Sequence, residues 1–201
     1  KPTAEDDTEL GGRTDRKART RRALLDAALQ LMEGELSFSS LSLREVTKRA
    51  GIVPAAFYRH FENMTDIGLA LVDDSFETLH GMMAAARSAP LPNQHLIANS
   101  VEVFLRYVQD HRPHFQFLAK ERVSGSSIVR LAIRKEIRLW VSELAADLAT
   151  FPKMKQLNGE DLRMTAHLVV NTVLSATEWL LDVPVDNQEE FARIRTLTEK
   201  Q

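Results

Sequence analysis

Residues 42–61 read Ser42-Leu43-Arg44-Glu45-Val46-Thr47-Lys48-Arg49-Ala50-Gly51-Ile52-Val53-Pro54-Ala55-Ala56-Phe57-Tyr58-Arg59-His60-Phe61. Ser42 with Glu45 three residues on is a capping box: the hydroxyl accepts from the Glu45 amide, and the carboxylate reaches back to the Ser42 amide. The helix opened there ends at Ala50, and Gly51 supplies a left-handed turn. Pro54 then falls in the first turn of another helix, where its missing N–H costs nothing, and that helix closes near His60. Two short helices joined at a glycine form a helix-turn-helix unit. Leu43, Val46, Ala50, Ile52, Phe57 and Phe61 supply the small core that sets the two helices at a steep angle.

The residues left outward are Ser42, Arg44, Thr47, Lys48, Pro54, Ala55, Ala56, Tyr58, Arg59 and His60. Small side chains at the start of the second helix let its backbone approach the floor of a major groove, where Ala methyls pack on thymine methyls. Tyr58 and His60 can donate to phosphates, and Arg44 can reach guanine edges or the backbone. The charge distribution agrees. Residues 13–60 hold ten Lys and Arg against five Asp and Glu, whereas residues 61–201 hold fifteen against nineteen, and the formal net charge is -2. A basic first quarter on an acidic remainder suits a chain with one end on a polyanion. Arg13, Arg16 and Arg19 lead the densest basic stretch, and as a flexible arm they could enter the adjacent minor groove. For each of these residues, a solvated helix face or a three-helix core is the competing reading.

Outward from this unit, helical periodicity dominates and prolines punctuate it. One helix is predicted from about Thr14 to Glu33, before the capped pair. Others follow over about Thr65–Arg87, Gln94–Asp110, Pro113–Arg122, a seventh after the Ser124-Gly125-Ser126 break with a stripe from Ile133 to Leu148, Glu160–Leu181, and Gln188 onward. The architecture is all-α with about nine helices. It divides into an acidic flexible arm (1–12), a helix-turn-helix domain (13–62), and a helical effector-binding and dimerisation domain (63–201). The absence of Cys excludes a disulfide framework and Cys-ligated metal. The uncharged run Met164–Thr177 is too short to span a membrane. No charged-then-apolar leader opens the residues present, so a cytoplasmic location is expected.

The segments Leu43–Val46 and Ala50–Phe61 resemble the N-terminal signature of TetR-type transcriptional repressors. The wording of Pro54–Phe61, with the later Lys120-Glu121-Arg122-Val123-Ser124-Gly125, is similar within that family to repressors of unsaturated fatty-acid synthesis (FabR and DesT type). The resemblance implies a homodimer on a palindromic operator and a small hydrophobic effector, in the narrower case a long-chain acyl-CoA. Two positions depart from the pattern. Val53 stands where the family usually has a capping Ser or Thr, and Met64 where it usually has a phosphate-binding Lys. The helix amides near Thr65 could still face a phosphate.

In the C-terminal part, Phe76, Met83, Phe104, Tyr107, Phe115, Phe117, Ile137, Trp140, Val169, Thr172 and Trp179 are candidates for the wall of a pocket, with plain core as the alternative. The phosphates of an acyl-CoA would need cations at its mouth, for which Arg106, Lys120, Arg122, Arg130 and Arg134 are candidates, with plain surface charge as the alternative. Ala166, Val173, Ala176, Leu180, Phe191, Ile194 and Leu197 are candidates for a dimer interface in which two copies form a four-helix bundle, or for completion of the monomer core. No cofactor is expected. There is no glycine-rich phosphate loop, G-x-S-x-G or H-E-x-x-H, and His111 with His114 lacks a third ligand at suitable spacing, so neither an enzyme nor a metal site is expected. The competing function classes are a repressor of the same family answering to a different hydrophobic molecule or drug, and an acyl-chain-binding dimer that does not touch DNA.

Overall fold

In the computed structural model, which describes residues 4–33, 36–88 and 96–200, nine α-helices are found among those residues. They are α1 (Ala4–Leu31), α2 (Leu43–Arg49), α3 (Pro54–Phe57), α4 (Met64–Ser88), α5 (Leu96–Asp110), α6 (Arg112–Ser124), α7 (Ser127–Thr150), α8 (Gly159–Leu181) and α9 (Gln188–Lys200). Short 3-10 turns lie at Phe38–Ser40, between α1 and α2, and at Pro152–Met154, between α7 and α8.

The amino end corrects the expected flexible arm. Helix α1 begins at Ala4, ten residues before the predicted start, and runs unbroken through the basic stretch. Arg16 and Arg19 therefore stand exposed on a rigid helix rather than on an extended arm. The side chain of Arg13 lies outside the described residues, as does that of Met83.

Helix α3 is one turn long, shorter than Pro54–His60, because the chain tightens beyond it. The amides of Arg59 and His60 bond back three residues, to Ala56 and Phe57. Asn63 then caps α4, its Oδ1 accepting from the Asp66 amide, while Asp66 accepts from the Glu62 amide.

The three N-terminal helices and the helical body share one apolar core, continuous from Leu24 to Ile194. Helix α4 passes from the first into the second. At its Gly68 an added Cβ would lie 2.8 Å from Val129 Cγ2 and 2.9 Å from Phe38 Cε1, so glycine is what admits that close packing. In the body, α7 and α8 pack along one another, and α9 lies on α5 and α8. Arg112 at the start of α6 donates to the carbonyls of Leu180, Leu181 and Val183, tying α6 to the end of α8 and the turn after it. No helix of the described residues is long and apolar enough to cross a membrane.

Candidate nucleic-acid interface and effector cavity

The capping box forms as the sequence dictates. Ser42 Oγ accepts from the Glu45 amide at 3.3 Å, and Glu45 Oε2 accepts from the Ser42 amide at 2.8 Å. The Ser42 hydroxyl also donates to that carboxylate, and these bonds hold Glu45 below its ordinary pKa. Gly51 has φ +68°, and no other described glycine is left-handed. Val53 precedes α3 without a side-chain cap, so α3 is set by Pro54 alone.

On this frame Arg44, Pro54, Ala55, Tyr58 and Arg59 are exposed and Ala56 half-buried; Tyr58 keeps 63% of its surface accessible. Thr47 is a correction: it is buried, its hydroxyl donating to the carbonyls of Leu43 and Arg44 in its own helix. His60 is half-buried, with Nδ1 enclosed and unpartnered among the described residues. Burial first, then the nearby charges of Lys17, Arg21 and Arg59, lowers its pKa, so a neutral ring sits in a cationic surround. Arg21 also covers the Phe61 ring at 5.1 Å. Lys17 and Arg21 thus belong to this face although Arg16 and Arg19 were preferred from sequence. Their i,i+4 spacing on α1 was the signal available. The result is a short, small-residue helix flanked by Arg and Lys groups that can neutralise phosphate and by Tyr58, whose hydroxyl can donate to it.

In the body, a cavity of about 30 Å³ is enclosed by Phe76 and Leu79 (α4), Phe104 (α5), Phe115, Leu118, Ala119 and Arg122 (α6), Ile133, Ile137 and Trp140 (α7), and Leu174, Thr177 and Glu178 (α8). The Phe104 and Trp140 rings stack at 6.1 Å, and Phe115 meets Phe104 edge-on. Phe76, Phe104, Phe115, Ile137 and Trp140 are brought together as expected. Tyr107 lies outside, against His111 and Phe115. Phe117 is fully buried in the core, edge-on to Phe38. Val169, Thr172 and Trp179 are also corrections: at about 100° per residue they lie roughly 140–160° round α8 from Leu174 and so face away. Leu79, Leu118, Ala119, Ile133, Leu174, Thr177 and Glu178 were missed. Leu118, Ala119 and Arg122 follow Phe115 at helical spacing, but only packing tells which stripe meets the cavity.

Among the proposed cations, Arg122 lines the cavity and pairs with Glu178. Arg106 binds Glu102, Arg130 donates to the Gly125 carbonyl, Lys120 reaches the carbonyls of Met32 and Leu36, and Arg134 is exposed. Five of the proposed dimer residues are corrected as well. Ala166, Ala176, Leu180, Phe191 and Ile194 are buried within the protomer, and Val173 and Leu197 are half-buried. Helix α8 is apolar on two sides, and this side packs inward. Its other side exposes Met164, Leu168, Val169 and Trp179, and α7 exposes Ile128, Leu131 and Leu139.

A capped helix-turn-helix joined through one core to an aromatic-lined cavity defines a ligand-responsive DNA-binding regulator. Residues 24–71 match the bacterial regulatory proteins of the tetR family, and residues 93–199 match the tetracyclin repressor-like C-terminal domain. The chain belongs to the TetR family of transcriptional regulators, a family of DNA-binding proteins and not of enzymes. Its fold is similar to that of the fatty acid degradation regulator FadR from Bacillus halodurans (TM-score 0.72, 15% identity, covering 90% of this chain and 93% of that one). It is also similar to FadR from Bacillus subtilis in complex with stearoyl-CoA (0.70, 14%, 89% and 95%). A gamma-butyrolactone receptor, an ArpA-like protein, shares the fold too (0.62, 18%, 92% and 98%).

Proposed function

We propose that this regulator is a homodimeric repressor whose effector is a long-chain acyl group, carried as acyl-CoA, and that it controls genes of unsaturated fatty-acid synthesis from a palindromic operator. The observation that carries the ligand class is the cavity wall. Side chains from five helices enclose it, almost all apolar or aromatic, with a single Arg122–Glu178 ion pair at its polar side. Such a wall suits a hydrocarbon chain with one polar anchor. The cavity is small, so an effector must widen it, and its influence on DNA equals its differential affinity for the wide and narrow arrangements. The uncovered apolar side of α8, Met164, Leu168, Val169 and Trp179, is the surface a second copy would cover. Two recognition helices would then enter successive major grooves about 34–36 Å apart. Operator binding places its work in the cytoplasm.

Native mass spectrometry and titration with palmitoyl-CoA test the ligand. A co-purified acyl thioester, or saturable binding that changes operator affinity, is the expected result, while a hydrophilic metabolite in its place excludes the acyl reading. A compact hydrophobic effector is the second reading, favoured by the small volume. It predicts that a ring-sized lactone or drug binds and palmitoyl-CoA does not.

A further inference from the structure

Helix α6 serves two neighbours with two adjacent stripes. Phe115, Leu118, Ala119 and Arg122 line the cavity. One step round the same helix, Phe117 and Glu121 meet Phe38, the first residue of the 3-10 turn that leads into the α2 cap. Phe117 is edge-on to its ring at 5.7 Å, and Glu121 Oε1 accepts from its backbone N–H at 2.9 Å. Lys120 adds a third hold, its Nζ near the Met32 and Leu36 carbonyls at the end of α1. Glu121 is fully buried, and its Oε2 has no hydrogen-bond partner among the described residues. Gly125 closes over it, where an added Cβ would lie 2.4 Å from the Glu121 carbonyl oxygen and 2.7 Å from Oε2. A buried carboxyl kept half-satisfied at a junction has no catalytic or nucleic-acid task here. What it does is bind the DNA-reading unit to the helix that walls the cavity.

We propose that Glu121, with Lys120, is the positioning residue through which the state of the cavity reaches the DNA-reading unit, by clamping the Phe38 turn to α6. Prising the cavity open displaces the Phe115–Arg122 stripe. Because the helix moves as a rigid element, the Phe117–Glu121 stripe moves with it, and the clamp on Phe38 is re-seated or broken. The route runs directly from α6 to the turn before α2, in addition to the continuous α4. It rests on the reading of the cavity as the effector site, but its test needs no effector.

Leu174→Phe crowds the cavity from α8, remote from the clamp. Two readouts follow it: exchange of the Phe38 amide with solvent, and affinity for a duplex selected from a random-sequence pool by the unaltered chain. In the otherwise native protein L174F is expected to change both by about tenfold, within the 5–150-fold of ordinary coupling. The change is expected to persist with Glu121→Gln, which keeps an acceptor for the Phe38 N–H. It is expected to fall below about threefold with Glu121→Leu and with Lys120→Met, the latter serving if the former fails to fold. Equal changes in all backgrounds, or an L174F effect that leaves Phe38 exchange untouched, overturn the proposal. If the random pool yields no duplex, the DNA reading fails separately, and amide exchange still decides the clamp.

Discussion

The backbone N–H of Phe38 donates to Glu121 Oε1 across 83 positions of chain, and the carboxyl that receives it is wholly enclosed. Burial raises the Glu121 pKa; the Phe38 bond and the nearby Lys120 charge lower it, but burial dominates. With the folded value raised, the neutral acid is favoured by folding. Its contribution is fully present below the ordinary carboxylate range and is lost as pH rises through the raised value. Glu121→Gln cannot ionise, so its stability relative to the unaltered protein is expected to rise as pH climbs from the ordinary carboxylate range through the raised value. Urea midpoints across that range measure it, and a constant difference would contradict the burial argument.

His60 titrates in the opposite sense. Its folded pKa is lowered, chiefly by burial and then by Lys17, Arg21 and Arg59. The stability linked to the neutral ring is therefore present above the ordinary histidine value and lost as pH falls through the lowered one. His60→Gln is expected to remove that acid-side loss, and NMR titration of the ring should show the low pKa rise when duplex DNA is added, because phosphate favours the charged form.

Salt dependence tests the cationic face. Lys17→Ala and Arg21→Ala are each expected to reduce the slope of log affinity against log salt by about one for each phosphate left without its cation. Arg44→Ala is expected either to do the same or to relax the preferred sequence, according to whether it touches a phosphate or a base. Fluorescence anisotropy from low to high salt separates these results. Slopes unchanged in all three would remove this face from the DNA interface.

Two glycines ought to differ sharply. At Gly51 an added Cβ meets nothing within 4 Å, so Gly51→Ala costs only the left-handed backbone, about 1–2 kcal/mol. At Gly68 the same atom meets Val129 and Phe38, so Gly68→Ala is expected to alter how the DNA-reading unit seats on the body as well as stability. Chemical denaturation and Phe38 ring shifts distinguish them.

The two sides of α8 offer a matched pair. Leu168 is 62% exposed and Leu180 is fully buried. Leu168→Glu is expected to give a folded monomer if this face joins the two copies, whereas Leu180→Ala is expected to cost about 2–5 kcal/mol without changing the association state at protein concentrations where it stays folded. Analytical ultracentrifugation with thermal melting tests both.

Local chemistry made the DNA-reading unit legible from residues 42–61. A capping box, a left-handed glycine and an N-terminal proline each act within a few residues, so their consequences can be read along the chain. Thr47 escaped that reading because a hydroxyl can satisfy itself on its own helix and turn inward. The helices of the body were also legible, since periodicity records that a helix has an apolar side. Periodicity does not record which neighbour covers that side. Helix α8 has two apolar sides, and only packing decided that Ala176 and Leu180 face inward while Leu168 and Trp179 stay uncovered. The same holds for α6: the pattern marks Phe115, Phe117, Leu118 and Arg122 as one helix, but three-dimensional packing turns one stripe to the cavity and the next to Phe38. Side-chain direction along an element is a local property, whereas the partner met there depends on contacts between residues far apart in the chain.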